Sequence, residues 1–363
     1  MSRNKNLYKA KKQKNDEFYT QLSDIEKELV NYKEHFYGKT VFCNCDDPEH
    51  SNFFKYFIEN FNALGLKQLI VMGYKAFPVM ELFKDEAGIS KNPLFVVCIC
   101  KVAGECDLDI NHLLKIKGNT RYELHGDNNY PAGDFRSKES IAFLKQSDVV
   151  VTNPPFSLFR EYMAQLMEYK KKFLIVGNKN AVTYKEFFPL IKEDKVWFGY
   201  CSIKTFLEQG VSVRKFGNVG WFTNLDIPKR HVILELYKKY SLEAYYRYDN
   251  YDAINVDKVS DIPCDYDGVM GVPITFLDKY NPEQFEIVTL GRLPDLFTPT
   301  KKYTGLFYHG LDGVKMKKHI ACNQCLAIGL FDKPNRVYYT ATNSDKFLVL
   351  PYNRILIRKR KKM

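Results

Sequence analysis

The chain has 363 residues, 45% of them apolar and 15% aromatic, with 54 Lys plus Arg against 43 Asp plus Glu for a net charge of +11. That length holds one large domain or two ordinary ones, and the apolar content excludes a disordered or collagen-like polymer. No run of 18 apolar residues occurs and the first 20 residues are polar and basic, so neither a membrane span nor a secretory signal is expected and the expected compartment is the cytoplasm.

The first 15 residues are lysine-rich and predict a flexible basic arm. In "DEFYTQLSDIEKELVNY" a short extended piece precedes a helix from about Ser23, because Leu22, Ile25, Leu29 and Val30 recur at helical spacing and Ser23 can cap it. A strand is predicted over 40–43, a helix from Ser51 to Leu64 and a strand over 67–72, together a βαβ unit. Residues 73–120 are less regular, with one clear strand in "LFVVCIC" at 94–100. Alternation then resumes, with strands near 121–124, 148–151, 172–177 and 195–199 and helices near 138–146, 157–169 and 183–192. A further strand is predicted at 219–225. Such alternation predicts an α/β fold with a mostly parallel, doubly wound sheet covered on both faces. From about 230 the texture changes to short strand-like pieces, many tyrosines ("LEAYYRYDNYDAINV") and frequent prolines, which predicts an irregular α+β region. The expected division is therefore an arm over 1–15, a first domain over 16–229 and a second region over 230–363 with a basic tail.

Both ends are basic, "MSRNKNLYKAKKQK" and "RILIRKRKKM", the electrostatic footprint of a protein that meets a polyanion such as nucleic acid. Nine cysteines, at 43, 45, 98, 100, 106, 201, 264, 322 and 325, are odd in number and irregular in spacing, so they read as reduced thiols. Cys322 and Cys325 in "ACNQCLA" have the spacing of a zinc or redox pair, but a lone CxxC is a weak signature and no metal is expected.

In a doubly wound sheet ligands bind beyond the carboxyl ends of the strands. After 40–43 come Asn44, Asp46 and Asp47; after 121–124 comes "GDNNYPAGDF" with Asp127 and Asp134; after 172–177 comes Asn178. After the apolar run at 148–151 the chain reads Asn153-Pro154-Pro155-Phe156. A rigid turn accounts for the two prolines, which fix φ and remove donors, but not for the amide before them or the ring after them. With proline near ~5% of residues, this tetrapeptide arises by chance on the order of once in a few hundred chains, and less often just after a buried strand.

"TNPPF" resembles the (Asp/Asn)-Pro-Pro-(Tyr/Phe) motif of amino-group methyltransferases that use S-adenosylmethionine. The surrounding "GDFRSKESIAFLKQSDVVVTNPPFSLFREYMAQL" is similar to the EcoRI-like adenine-specific DNA methyltransferases in particular. The similarity extends to "DEFYTQ", "FCNCDDPEHSNFFKYF", "VGWFTNLD" and "GVPITFLDKYNPEQFEI", covering about residues 15–290. It implies a Rossmann-like methyltransferase fold with a C-terminal DNA-recognition region, S-adenosylmethionine as cofactor and double-stranded DNA as partner. A cognate restriction endonuclease acting on the same site without a stable complex belongs to that setting.

Carried over residue by residue, the resemblance implies that the Asn153 side chain and the Pro154 carbonyl accept from the target amine. Pro155 helps to hold the turn rigid, and Phe156 stacks on a base flipped out of the duplex. Trp221 and Phe222 would supply the second stacking face; the same residues also read as core packing of an edge strand. Phe18, Tyr19 and Thr20 would cover the methionine and adenine portions of the cofactor, and Cys43, Asn44, Asp46 and Asp47 would approach its methionine and ribose. Asp134 would hold its adenine amine and Phe135 stack on its ring. Asp46 and Asp47 also stand where side chains cap a helix starting near Ser51. Two departures from the wider methyltransferase pattern are visible: "CNCDDP" replaces the glycine-rich first turn, and "VMGY" lacks the acidic residue that commonly ends the second strand. A protein glutamine-amide methyltransferase and a non-catalytic DNA-binding relative remain alternatives.

Overall fold

The computed structural model describes residues 19–73, 94–103, 108–208, 212–292, 297–312, 314–317 and 321–360. The chain divides into two compact units, one of residues 1–181 and 196–227, the other of residues 182–195 and 228–363.

The described strands of the first unit are β1 (Tyr19–Thr20), β2 (Thr40–Cys43), β3 (Gln68–Met72), β4 (Phe95–Ile99), β5 (Thr120–Glu123), β6 (Val149–Thr152), β7 (Lys172–Asn178), β8 (Trp197–Glu208) and β9 (Ser212–Thr223), with β2, β3, β4 and β6 built from short apolar runs. They make one nine-stranded sheet in the order β1-β8-β9-β7-β6-β2-β3-β4-β5. β7, β6, β2 and β3 are parallel, and every residue of β2 and β6 is buried, as a strand covered on both faces requires. The expectation of a mostly parallel sheet is corrected at the flanks, where β1, β8 and β9 on one side and β4 and β5 on the other pair antiparallel. Residues 209–211 alone separate β8 from β9, too few for a parallel crossover.

Among the described residues the α-helices of this unit are α1 (Leu22–Leu29), α2 (Lys33–Phe36), α3 (Asn52–Glu59), α4 (Ile110–Lys115), α5 (Lys138–Gln146) and α6 (Phe159–Glu168). Ser23 lies inside α1 rather than capping it, and Gln21 holds the cap position without a side-chain bond. Ser51 does cap α3, accepting from the amides of Phe53 and Phe54. α6 starts later than its periodicity suggests because Phe156–Leu158 form a 3-10 turn first. On one face of the sheet, Ile25, Leu29, Phe36, Phe53, Phe57 and Trp221 share a continuous core. An ionisable group sits in that core: Glu28 is fully buried, and its carboxyl is pushed above the ordinary range by burial. It accepts from the Tyr32 hydroxyl at 2.7 Å and from the amides of Tyr200 and Cys201 at 2.8 and 2.7 Å. Those amides lie where the β8–β9 register shifts between Phe198 and Ser202, so the side chain serves donors that the irregular ladder leaves over.

The second unit contains α7 (Phe188–Lys192) and two smaller sheets. The helix predicted over 183–192 is shorter because Lys179–Thr183 form a 3-10 turn. In the first of these sheets β10 (Ile254–Asn255), β11 (Met270–Pro273), β12 (Phe285–Leu290) and the last strand (Arg354–Lys359) lie in the order β10, β11, last strand, β12. Phe307–His309, Lys315–Lys317, Ile328–Leu330, Tyr338–Ala341 and Ser344–Val349 form the other, five-stranded sheet. Cys322 is fully buried, and the carbonyls of Cys322 and Cys325 accept from the Asn250 carboxamide at 3.1 and 2.9 Å. Among the described residues no helix is long and apolar enough to cross a membrane.

Candidate active site

The strand order reverses between β2 and β6: from β2 the chain proceeds to β3 on one side, while β6 leads to β7 on the other. Their ladder runs over Val41↔Val149 and Phe42↔Val150, and the turns beyond it carry residues 44–47 and 153–156. Such a switch point opens a crevice at the carboxyl ends of the strands. Pro154 and Pro155 are buried while Asn153 and Phe156 are half-buried, so the prolines form the floor of the turn and the amide and ring flank it. The carboxamide oxygen of Asn153 is itself buried. Phe156 sets its ring edge-on to Phe206, with centroids 6.2 Å apart.

The β2 turn is tied to the β6 turn by side chains. Asp46, 7% exposed, accepts from Ser51 Oγ at 2.9 Å and from Thr152 Oγ1 at 2.6 Å, and the Cys45 amide donates to Thr152 Oγ1 at 3.3 Å. Burial pushes the Asp46 carboxyl up to about 7, against the two hydroxyl donors that favour its charged form. Asp47 is turned outward, capping the Glu49 amide at 3.0 Å and pairing with His50 at 3.0 Å. Asp47, Glu49 and His50 bring their ligand-type atoms within 4.8 Å of one another, an exposed cluster that contains no cysteine.

Asn44, 1% exposed, accepts from the Tyr162 hydroxyl of α6 at 2.5 Å, while its Nδ2 is buried without a hydrogen-bond partner. Burial raises the Tyr162 hydroxyl well above its ordinary value, which keeps it a donor. Thr20 presents a second buried, unpartnered polar atom, Oγ1. β1 places Thr20 opposite Phe206, the ring that meets Phe156, and the Asn52 carboxamide donates to the Thr20 carbonyl at 2.8 Å. Thr20, Asn44, Asp46 and the Asn153 turn thus belong to one connected set of contacts. Cys43 is the fully buried last residue of β2 and offers packing alone. Tyr19 pairs through its backbone with Leu207, and Phe18 lies outside the described residues.

Three further groups of expected site residues make contacts of their own. Phe135 is 1% exposed and turns its ring onto Tyr162 at 5.0 Å, so it has no open face for a second ring system. The Asp134 carboxylate is taken up by Arg136, accepting from its amide and Nε at 2.9 Å and from Nη2 at 2.8 Å, while Arg136 Nη1 reaches Glu161 at 2.7 Å. Trp221 and Phe222 are both fully buried and point to opposite faces of β9: Trp221 meets Phe53 at 5.9 Å, Phe222 meets Phe159 and Phe198 at 5.5 and 5.1 Å. Neighbouring residues of a strand cannot face one ligand together, so this pair forms core.

Sequence reasoning missed Tyr162, Thr152 and Arg136. It also missed Lys179, a buried lysine after β7 whose Nζ donates to Ser202 Oγ at 3.1 Å and lies 4.8 Å from the centre of the Phe198 ring. At Gly220 a Cβ would meet the Lys179 side chain at 2.6 Å, a proximity that only the fold reveals.

Residues 6–360 match the family model described as adenine-specific methyltransferase EcoRI. The chain is 46% identical over 318 residues to the type II methyltransferase M.EcoRI of Escherichia coli, covering 78% of this chain and 89% of that protein. It is 39% identical over 302 residues to M.MgeORF184P of Mycoplasma genitalium and 36% identical over 301 residues to M.MpnI of Mycoplasma pneumoniae, in both cases covering 77% of this chain and 84% of the relative. No solved structure matches. A buried Pro-Pro turn carrying an amide and a ring at a sheet switch point, and a family match across nearly the whole length, lead to one conclusion: this chain belongs to the EcoRI family of adenine-specific methyltransferases.

Proposed function

We propose that this chain transfers a methyl group from S-adenosylmethionine to N6 of adenine at a specific sequence in double-stranded DNA. The observation that carries this reading is the Asn153–Phe156 turn, whose prolines are buried and whose amide and ring are half-buried at the switch point between β2 and β6. The exocyclic amine of adenine is a poor nucleophile because its lone pair is delocalised into the ring. Acceptors that hold its N–H groups favour a more tetrahedral nitrogen, and that preference counts most in the transition state. Asn153 Oδ1 and the Pro154 carbonyl are the acceptors assigned to this task, and the proline rings restrict the backbone that carries them. The Asn153 amide is neutral, so it holds the amine proton rather than removing it. Phe156 offers a ring to the base, which must leave the helical stack to reach the turn.

The buried, unpartnered Asn44 Nδ2 and Thr20 Oγ1 fit a ligand rich in polar groups, and these two residues would hold the cofactor. When bound, S-adenosylmethionine supplies an activated methyl group on a sulfonium centre. The chain's part is orientation: the two turns are linked by side chains, so bound groups keep a fixed relation to Asn153. The second unit and the basic ends are assigned to DNA recognition and phosphate contact. The N-terminal arm and residues 361–363 of the tail lie outside the described residues.

The test is methylation of duplex DNA by the purified chain, with N6-methyladenine quantified in nucleoside digests and its sites sequenced. Asn153→Ala should abolish single-turnover methylation at saturating DNA and cofactor while binding of both persists. Methylation of a protein glutamine in place of adenine, or an Asn153→Ala enzyme at the parent rate, would refute the proposal.

A further inference from the structure

Thr152 ends β6 and immediately precedes Asn153. It is fully buried in the run "VVVT", where a fourth valine would satisfy packing alone, and burying a hydroxyl is unfavourable unless it is bonded. Its hydroxyl is used twice, accepting from the Cys45 amide at 3.3 Å and donating to Asp46 Oδ2 at 2.6 Å. Those bonds stand just past Phe42↔Val150, where the β2–β6 ladder gives way to the crevice. A β-branched side chain has few rotamers, so the direction of this hydroxyl is set together with the backbone leading to Asn153. On its other oxygen Asp46 accepts from Ser51, which also caps α3 through the amides of Phe53 and Phe54 at 3.0 and 3.3 Å. A continuous chain of hydrogen bonds therefore runs from the start of α3 through Ser51, Asp46 and Thr152 to the residue before the Asn153 turn.

We infer that Thr152 is a positioning residue for methyl transfer: its hydroxyl locks the turn that carries Asn153 to the turn of residues 44–47, so that the target amine and the methyl donor are held in register. The inference rests on the proposed role of Asn153. Thr152 touches neither reactant and acts through its neighbours. The ionisable groups facing Asp46 are Cys43, Cys45 and Asp47 from its own strand and turn and Tyr162 from α6, with Asp134 acting on Cys45. The Thr152 donor favours the charged form of Asp46, so its loss moves Asp46 titration to higher pH.

The experiment compares the full-length parent, Thr152→Val, Thr152→Ser and Asn153→Ala in single-turnover methylation of duplex DNA across pH 5.5–9, with melting curves and cofactor titrations alongside. Thr152→Val should lower the rate on the order of 100-fold, as a misplacement of about 1 Å does, with cofactor and DNA affinities near those of the parent. Thr152→Ser, which keeps the hydroxyl, should restore the rate. The inference is overturned if Thr152→Val works at the parent rate beside an inactive Asn153→Ala, or if both Thr152 variants lose activity equally. If Thr152→Val does not fold, Thr152→Ser still decides, since a large loss of rate there in a normally melting protein also refutes the role of the hydroxyl. An Asn153→Ala enzyme with full activity would instead defeat the underlying assignment of Asn153.

Discussion

Tyr162→Phe deletes one oxygen from a fully buried ring and leaves its volume nearly unchanged. Two consequences follow from the 2.5 Å bond that this oxygen donates to Asn44 Oδ1. If the Asn44 carboxamide keeps its place, its oxygen is left with only the weak Cys45 Sγ donor at 3.8 Å in a site 1% exposed, at a cost of about 1–3 kcal/mol in folding stability. If the carboxamide rotates to find another donor, stability is largely recovered, but Nδ2 no longer points where a ligand would meet it. Cofactor affinity then falls by the same order, about 5- to 150-fold at 1.4 kcal/mol per factor of ten. The two losses trade against each other, so their sum is the quantity to measure. Calorimetric titration with S-adenosylmethionine gives one part and urea denaturation without cofactor gives the other. A Tyr162→Phe protein that binds cofactor like the parent and is equally stable would show that the Asn44 carboxamide needs no anchor, which refutes the reasoning. Phe135, which meets the Tyr162 ring edge-on at 5.0 Å, loses nothing in this exchange and keeps the packing constant.

Asp46 titrates at about 7 in the fold against an ordinary 3.8, so the folded chain holds this proton more tightly than the unfolded one. Its contribution is present in full below about pH 4 and is lost as pH rises through about 7; Asp46→Asn should flatten that part of a melting-temperature profile between pH 4 and 8. Gly133 has φ of +77° and a Cβ there would stand 2.2 Å from the Gly73 carbonyl, so Gly133→Ala should cost on the order of 1–3 kcal/mol or more by chemical denaturation. Parent-like stability of that variant would mean that the loop before Asp134 yields freely.

The Asn153–Phe156 turn was legible in the sequence because proline acts locally, and its place after "VVV" followed from the burial of a parallel strand. Asn44 was legible for the same positional reason. Their partners were not: Tyr162 lies 118 residues from Asn44, and Thr152 lies 106 from Asp46. Only the pairing of β2 with β6 closes the second distance, and strand order is not written in any local pattern. The side-chain direction at Trp221 and Phe222 was available, since adjacent strand residues alternate faces. Two large rings side by side suggested a common surface that a pleated strand cannot give. The occupation of Asp134 by Arg136 was hidden differently: an acid two residues before a base is too common a spacing to signal a bidentate pair, and here a turn brings the two together.

Residues 182–195 lie between β7 and β8 in sequence but belong to the second unit, with Phe188 fully buried and Ile191 3% exposed on α7. A recombination junction at residue 228 would therefore not transplant that unit whole. The donor segment would arrive without its helix, and the recipient would keep a helix whose apolar side had been shaped against a different neighbour. If the second unit carries sequence preference as proposed, its exchange between such enzymes requires two separate stretches of gene to travel together, and the shorter one carries fourteen codons from upstream of the last two strands of the larger sheet.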